Sequence, residues 1–209
     1  MTISKIEDAI EAIRRGEMVV VVDNEDRENE GDIVIAADAA EPKDIAFMMN
    51  HARGLVCMAM EGERLDELDI PLMVVRNTES LKTAFTVSVD YIPGTTTGIS
   101  AGDRAATVRA LASGDAKPDD FARPGHIFPL RAHPEGVRAR PGHTEAAVEL
   151  ARLAGRAPSG VICEVANDDG TMSRLPQLEV FAEKHGLLVV TIEDLVTYLN
   201  TTAKVDVAA

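Results

Sequence analysis

The stretch Met18-Val19-Val20-Val21-Val22-Asp23-Asn24-Glu25-Asp26-Arg27-Glu28-Asn29-Glu30-Gly31-Asp32 runs from an apolar, valine-rich segment straight into a loop of six carboxylates and one arginine. Met18–Val22 reads as a buried strand, being short, continuous and mostly β-branched. Ile33–Ala37 resumes the same pattern beyond the loop. So many acids at the end of a buried strand repel one another unless something offsets them. A hard divalent cation, bound through carboxylate oxygens, does so. Arg27 among the acids suggests a second task, a two-pronged grip on a phosphate or carboxylate. The plain alternative is a solvated acidic turn. The strand end, the arginine and the glycine favour a site over that alternative.

Working outward, Ser4–Arg15 predicts a helix with Ile6, Ile10 and Ile13 on one face and Gly16 as its stop. Pro42 opens a second helix through Met49 and His51. Gly54–Met60 is strand-like, Arg64–Leu68 a short helix and Thr83–Asp90 a strand. After the polar loop Gly94–Asp103, Ser100 and Asp103 resemble a cap for a helix over Arg104–Leu111. Residues 112–142 are rich in Pro, Gly, Arg and Asp, and read as an irregular set of functional loops or a mobile lid. Thr144 is the expected cap of a helix ending at Leu153. Val161–Val165 (strand), Gln177–His185 (helix), Leu187–Val190 (strand) and Ile192–Leu199 (helix) follow, with 201–209 expected to fray. No linker or composition break divides residues 1–209, so a single domain is expected. Helices and strands mix without strict alternation, which implies an α+β fold with a mixed sheet.

The chain has 209 residues, 45% hydrophobic, and a net charge of −14, of which the acidic loop supplies −5. That balance argues against nucleic-acid binding, which needs a positive footprint. Trp is absent and aromatics are 3% of the chain, which disfavours a base-stacking surface. Cys57 and Cys163 do not suggest a disulfide framework. Neither an apolar leader nor a run of membrane-spanning length is visible, so a soluble cytoplasmic setting is expected.

One phrase occurs twice, Arg123-Pro124-Gly125-His126 and Arg140-Pro141-Gly142-His143. Each turn presents a histidine beside an arginine, although two such turns with surface histidines are also ordinary. The second precedes a helix start, and with Arg140 and Thr144 it makes a credible phosphate site. His143 there can ligate a metal as a neutral imidazole. Glu164, within Val161-Ile162-Cys163-Glu164-Val165, is either an exposed alternate position or a buried acid suited to proton transfer. Cys57 is either core filler or a reactive thiol. His51, His133 and His185 stand alone and read as surface or packing residues. EF-hand, dinucleotide, P-loop, nucleophile-elbow and zinc patterns are absent. The residues alone therefore point to a metal-assisted reaction on a small phosphorylated hydroxy-carbonyl compound, with Mg²⁺ or Mn²⁺ as the ion.

Five ordered motifs carry a resemblance: Asp23–Asp32, Thr96–Arg104, Arg123–Arg131, Arg140–Ala146 and Gly160–Glu164. Together they resemble the 3,4-dihydroxy-2-butanone 4-phosphate synthase family over nearly the whole chain. The resemblance implies a three-layer α+β fold, a mixed twisted sheet covered by helices. It also implies a lyase that converts D-ribulose 5-phosphate to the four-carbon precursor of riboflavin and formate. Two Mg²⁺ or Mn²⁺ ions per active site and a homodimer with active sites at the interface are implied with it. Glu28 should bridge the metals, with His143 as the other direct protein ligand. Substrate should be bound by Arg27, Glu28, Asp32, Glu164 and the run Arg140, Pro141, Gly142, His143 and Thr144. His126 and Glu164 match residues essential to turnover, and either is a candidate for the first proton abstraction. Asp23, Glu30 and Cys57 match pocket residues, with Asp23 and Cys57 as further catalytic candidates. Thr95–Asp103 is expected at the pocket or reaching a partner subunit. Asn24 stands where the family commonly has aspartate, with little effect expected. Relatives are often fused to GTP cyclohydrolase II, whose zinc cysteines are not found after Leu199. The chain thus reads as a single-function enzyme or one half of a fusion.

Overall fold

Strand β1 (Val19–Val22) pairs antiparallel with β2 (Gly31–Ala36) and parallel with β7 (Leu188–Thr191), so the two strands flanking the acidic loop lie side by side inside a sheet. These strands belong to a computed structural model that describes residues 3–206. The remaining strands are β3 (Cys57–Met60), β4 (Val89–Tyr91), β5 (Phe121–Arg131) and β6 (Ser159–Glu164). The sheet order is β4-β5-β3-β6-β2-β1-β7, with β3 parallel to β5 and antiparallel to β6. Every residue of β1 and β2 is buried, which is why Val and Ile run through both without polar alternation.

Burial on both faces requires two covering layers. On one face α1 (Ile6–Arg14), α5 (His143–Leu153) and α7 (Ile192–Asp206) enclose a core containing Ile13, Val21, Val34, Ala59 and Leu150. On the other, α2 (Pro42–Phe47), α3 (Gly62–Glu67), α4 (Ala101–Ala112) and α6 (Leu175–His185) enclose Ile33, Ile35, Met58, Val108 and Leu178. The expected three-layer α+β fold is the observed one.

The structure departs from the sequence reading in four places. Residues 112–142 are not an irregular lid: they contain the 11-residue β5, the longest strand. Its apolar alternation is interrupted by Arg123–His126, which bulges out where β4 shifts register between Val89 and Asp90. Conversely, Thr83–Asp90 forms no continuous strand: Phe85 and Thr86 make single bridges, to Leu130 and Leu72, and regular pairing begins only at Val89. Thr144 does not cap α5: Gly142 is the N-cap and contributes no side-chain bond. Helix α7 runs past Leu199 to Asp206, through much of the expected frayed tail, and 207–209 lie outside the described residues. The cap of α4 is as expected, with Ser100 Oγ accepting from Asp103 N over 3.0 Å.

Candidate active site

The acidic loop folds around its own first carboxylate. Asp23 accepts from the backbone N–H of Glu28 at 3.0 Å and of Glu30 at 2.8 Å, and from Arg27 Nη1 at 2.9 Å. Asn24 Oδ1 takes Asp26 N at 2.8 Å, a local turn that aspartate would make equally well. Asn29 turns the chain at φ 55°, a left-handed conformation asparagine tolerates. The result carries Glu28 across to α5, where its carboxylate stands 3.3 Å from His143 Nδ1. The other ring nitrogen of His143 lies 3.1 Å from the Val21 carbonyl.

Sheet register builds the opposite wall. Asp32 on β2 pairs with Glu164 on β6, and Ile162 pairs with Cys57 on β3. Residues two apart on a strand share a face, so Asp32, Glu164, Ile162 and Cys57 point to one side, beneath the start of α5. They line a cavity of about 180 Å³ with Arg27, Glu28, Glu30, His143 and Thr144. Glu164 is half-buried, and its Oε2 accepts from Leu55 N at 2.8 Å. Gly54 leaves the room for this, since a Cβ there would fall 2.4 Å from the Glu164 carbonyl and carboxylate oxygens.

The electrostatics follow from burying acids beside one histidine. Burial is the largest single influence on His143 and disfavours its charge, yet Asp32, Glu28 and Asp23 together raise its pKa to about 9. Burial pushes Asp32 up to about 7, against the pull of His143. The hydrogen bond from His143 is the main reason the Glu28 carboxyl lies below its usual range. Burial, aided by Glu164 and Asp32, holds Cys57 as a neutral thiol. Asp32 Oδ1 is buried with no hydrogen-bond partner among the described residues. Asp23, Glu28 and His143 each offer a ligand atom, all within 4.8 Å of one another. Carboxylate oxygens with one imidazole suit Mg²⁺ or Mn²⁺, and an orphaned carboxylate oxygen nearby is what a cation or its waters would satisfy.

At the other end of the site, Gly142 makes room for two guanidinium groups. A Cβ there would lie 2.7 Å from Arg140 Nη1 and 2.9 Å from Arg27 Nη2. The N-cap has no side chain of its own, and the same Cβ would lie 3.0 Å from Glu145 Oε2; a helix start beside two guanidinium groups is an arrangement suited to an anion.

A family model described as 3,4-dihydroxy-2-butanone 4-phosphate synthase matches residues 7–198. The chain belongs to the 3,4-dihydroxy-2-butanone 4-phosphate synthase family. It is accordingly an enzyme, a synthase of riboflavin biosynthesis. It is 81% identical to 3,4-dihydroxy-2-butanone 4-phosphate synthase of Agrobacterium fabrum, over 96% of this chain and 94% of that relative. It is 57% identical to the Pseudomonas aeruginosa synthase over 95% of this chain, spanning only 54% of that longer protein. A 3,4-dihydroxy-2-butanone 4-phosphate synthase crystallised with two magnesium ions superposes with a TM-score of 0.92, at 48% identity, over 96% of this chain and 98% of that one.

Within this synthase fold the expected residues divide into three groups. Arg27, Glu28, Glu30, Asp32, Cys57, His143, Thr144 and Glu164 meet at one cavity. Asp23, Arg140, Pro141 and Gly142 do not themselves line it; Asp23 organises the acidic loop, and Arg140 reaches the lining residue Thr83, at Oγ1, over 3.1 Å. His126 and the loop Thr95–Asp103 do not line the cavity of this chain. His51 and His185 are not isolated: their rings lie 4.8 Å apart, packed with Phe47 and Phe181.

Two kinds of residue escaped the sequence reading. Glu79 and Thr83 line the cavity from a segment without periodicity. Glu79 folds that segment by accepting from the N–H groups of Leu81 and Thr83, which lower its pKa to about 2. The polar cluster Asn77–Thr83 was the available signal. Glu145 was hidden inside α5, where an acid near a helix start reads as ordinary dipole complementarity.

Proposed function

We propose that this chain converts D-ribulose 5-phosphate to 3,4-dihydroxy-2-butanone 4-phosphate and formate, using two divalent ions per active site, Mg²⁺ or Mn²⁺. The observation that carries the reading is the meeting of Glu28 and His143, with Asp23 behind them, opposite the paired carboxylates Asp32 and Glu164. Glu28 and His143 are the residues that would hold metal. When bound, the ions supply Lewis-acid stabilisation of negative charge developing on neighbouring hydroxyl and carbonyl oxygens.

The chain's own groups do the rest. Arg27, Arg140, Thr144 and the start of α5 hold the phosphate. Glu164, whose Oε2 accepts from Leu55 N–H, moves the proton at C3 in this reading, with His126 as the other candidate. Cys57 stays a thiol and, with Ile162, Phe85 and Leu130, forms an apolar wall that limits water around the reacting carbons. With the proton gone from C3, the C1 hydroxyl leaves as water, a carbon skeleton shift joins C3 to C5, and water added back at C4 lets that carbon leave as formate.

The working unit in this reading is a homodimer in the cytoplasm, with active sites at the interface. In support, the turnover candidate His126 lies outside the cavity of its own chain, and no helix among the described residues is long and apolar enough to cross a membrane.

The deciding experiment measures formate released from D-ribulose 5-phosphate with Mg²⁺, then with excess chelator. Formate that appears with metal and vanishes with chelator supports both the reaction and the metal requirement. Absence of formate in both, from folded protein, would remove the assignment.

A further inference from the structure

We infer that Asp90 is the positioning residue of His126, fixing both its backbone and its ring so that Nε2 is the bare, reactive nitrogen. The segment that carries this histidine departs from the sheet. β4 pairs Val89 with Ile127 and Asp90 with Ala122, so the intervening Arg123–His126 bulges out of the ladder. A histidine on a bulge has no strand partner to set its orientation.

Asp90 supplies one twice over. Its Oδ1 accepts from the backbone N–H of His126 at 2.8 Å, and its Oδ2 lies 2.6 Å from His126 Nδ1. One carboxylate therefore commits both oxygens to a single residue. The bulge is drawn in further by Gly125 N donating to Ser88 Oγ at 3.1 Å. Gly125 permits that approach, since a Cβ there would overlap the Val89 carbonyl carbon at 2.0 Å.

The carboxylate is itself shut in. Gly98, at φ +88°, lies so close that a Cβ would stand 1.9 Å from Asp90 Oδ2. Asp90 is left 14% exposed, against 42% for the His126 side chain. The buried guanidinium of Arg104 on α4 feels the charge of Asp90, but its Nε has no hydrogen-bond partner among the described residues. Asp90 is thus held ready for the histidine by its surroundings.

The chemical consequence is a fixed tautomer. A carboxylate accepts only, so Nδ1 must carry a proton, and in the neutral ring Nε2 is then the bare acceptor. A histidine so held suits proton transfer better than one free to rotate and exchange tautomers. This inference rests on the proposed place of His126 in turnover, and the tests separate the two.

The first test is ¹⁵N NMR of histidine-labelled whole protein at alkaline pH, where the neutral ring is observed. The wild-type His126 signal is expected from the Nδ1–H tautomer, and an Nε2–H signal would overturn the inference. The second is formate release from D-ribulose 5-phosphate with Mg²⁺ by Asp90→Asn and His126→Ala. Asp90→Asn is expected to lower kcat by about 10²-fold with KM nearly unchanged. Normal kcat in Asp90→Asn beside an inactive His126→Ala would overturn the role of Asp90 alone. Normal turnover in His126→Ala would instead remove His126 from the reaction, and this inference with it. Should Asp90→Asn fail to fold, the wild-type tautomer decides.

Discussion

Arg140 Nη1 donates to Glu145 Oε2 over 2.7 Å, and the Glu145 side chain is only 1% exposed. The other Glu145 oxygen accepts from His133 N at 2.9 Å, so the carboxylate is tied to the chain on one side and holds a guanidinium on the other. Arg140 Nη2 meanwhile reaches Thr83 Oγ1. The cation is therefore held in place in advance, which in the proposed reading reduces the ordering cost of binding a phosphate.

Arg140→Ala is expected to raise KM for D-ribulose 5-phosphate roughly 10- to 100-fold, the scale of one charge-assisted hydrogen bond, with a smaller change in kcat. A phosphate grip acts in ground and transition states alike. The variant also leaves Glu145 buried without its cation, so a loss of about 1–3 kcal/mol of stability should accompany it. Steady-state kinetics and denaturant unfolding check both. An unchanged KM would displace the phosphate site from Arg140.

Glu28→Gln is expected to abolish formate release while leaving the fold intact. Its carboxylate faces His143 and Arg27, and in the proposed reading amide replacement removes a charged metal ligand without removing volume. Because Asp23, and not Glu28, ties the loop together, thermal unfolding in chelator should shift little. Normal turnover by this variant would take the acidic loop out of the mechanism.

The sequence made one half of this site legible and left the other obscure, for a physical reason. The proposed metal and phosphate chemistry needs particular residue types, so the acids of 23–32 and the turn at Arg140–His143 stand out from their surroundings. Register is invisible in a single chain: nothing in the letters says that Asp32 pairs with Glu164, or that Cys57 faces Ile162. The buried strands β1 and β2 were plain because unbroken apolar runs have one reading, whereas β5 was lost because its ladder is broken at Arg123–His126. Glu79 and Glu145 act by holding other site groups, and supporting roles of that kind appear only when distances do.

Gly54→Ala is expected to destabilise the protein by about 1–3 kcal/mol and to depress kcat, an overpacking effect confined to one contact. The new methyl would meet backbone atoms of Glu164 as well as its carboxylate, the nearest at 2.4 Å, so no simple side-chain rotation relieves it. Displacing Glu164 also breaks its bond from Leu55 N. Wild-type kinetics in a stably folded Gly54→Ala protein would show that the position of Glu164 is not demanding.

Metal binding should release a proton and strengthen as pH rises. In the metal-free cluster His143 has its pKa raised to about 9, so at neutral pH its ring is charged. A metal ligand must be neutral imidazole, and the proton therefore competes with the ion. The sign follows: affinity climbs with pH as long as His143 is protonated in the free protein, and levels off above about 9. Asp32, pushed up to about 7, adds a second proton to the competition below that pH. Titration calorimetry with Mg²⁺ or Mn²⁺ in two buffers of different ionisation enthalpy counts the protons. Close to one should leave per cluster filled at mildly alkaline pH, and His143→Ala should abolish that release along with most of the affinity. Binding that is equally tight across this range, with no proton released, would mean that His143 is not a ligand.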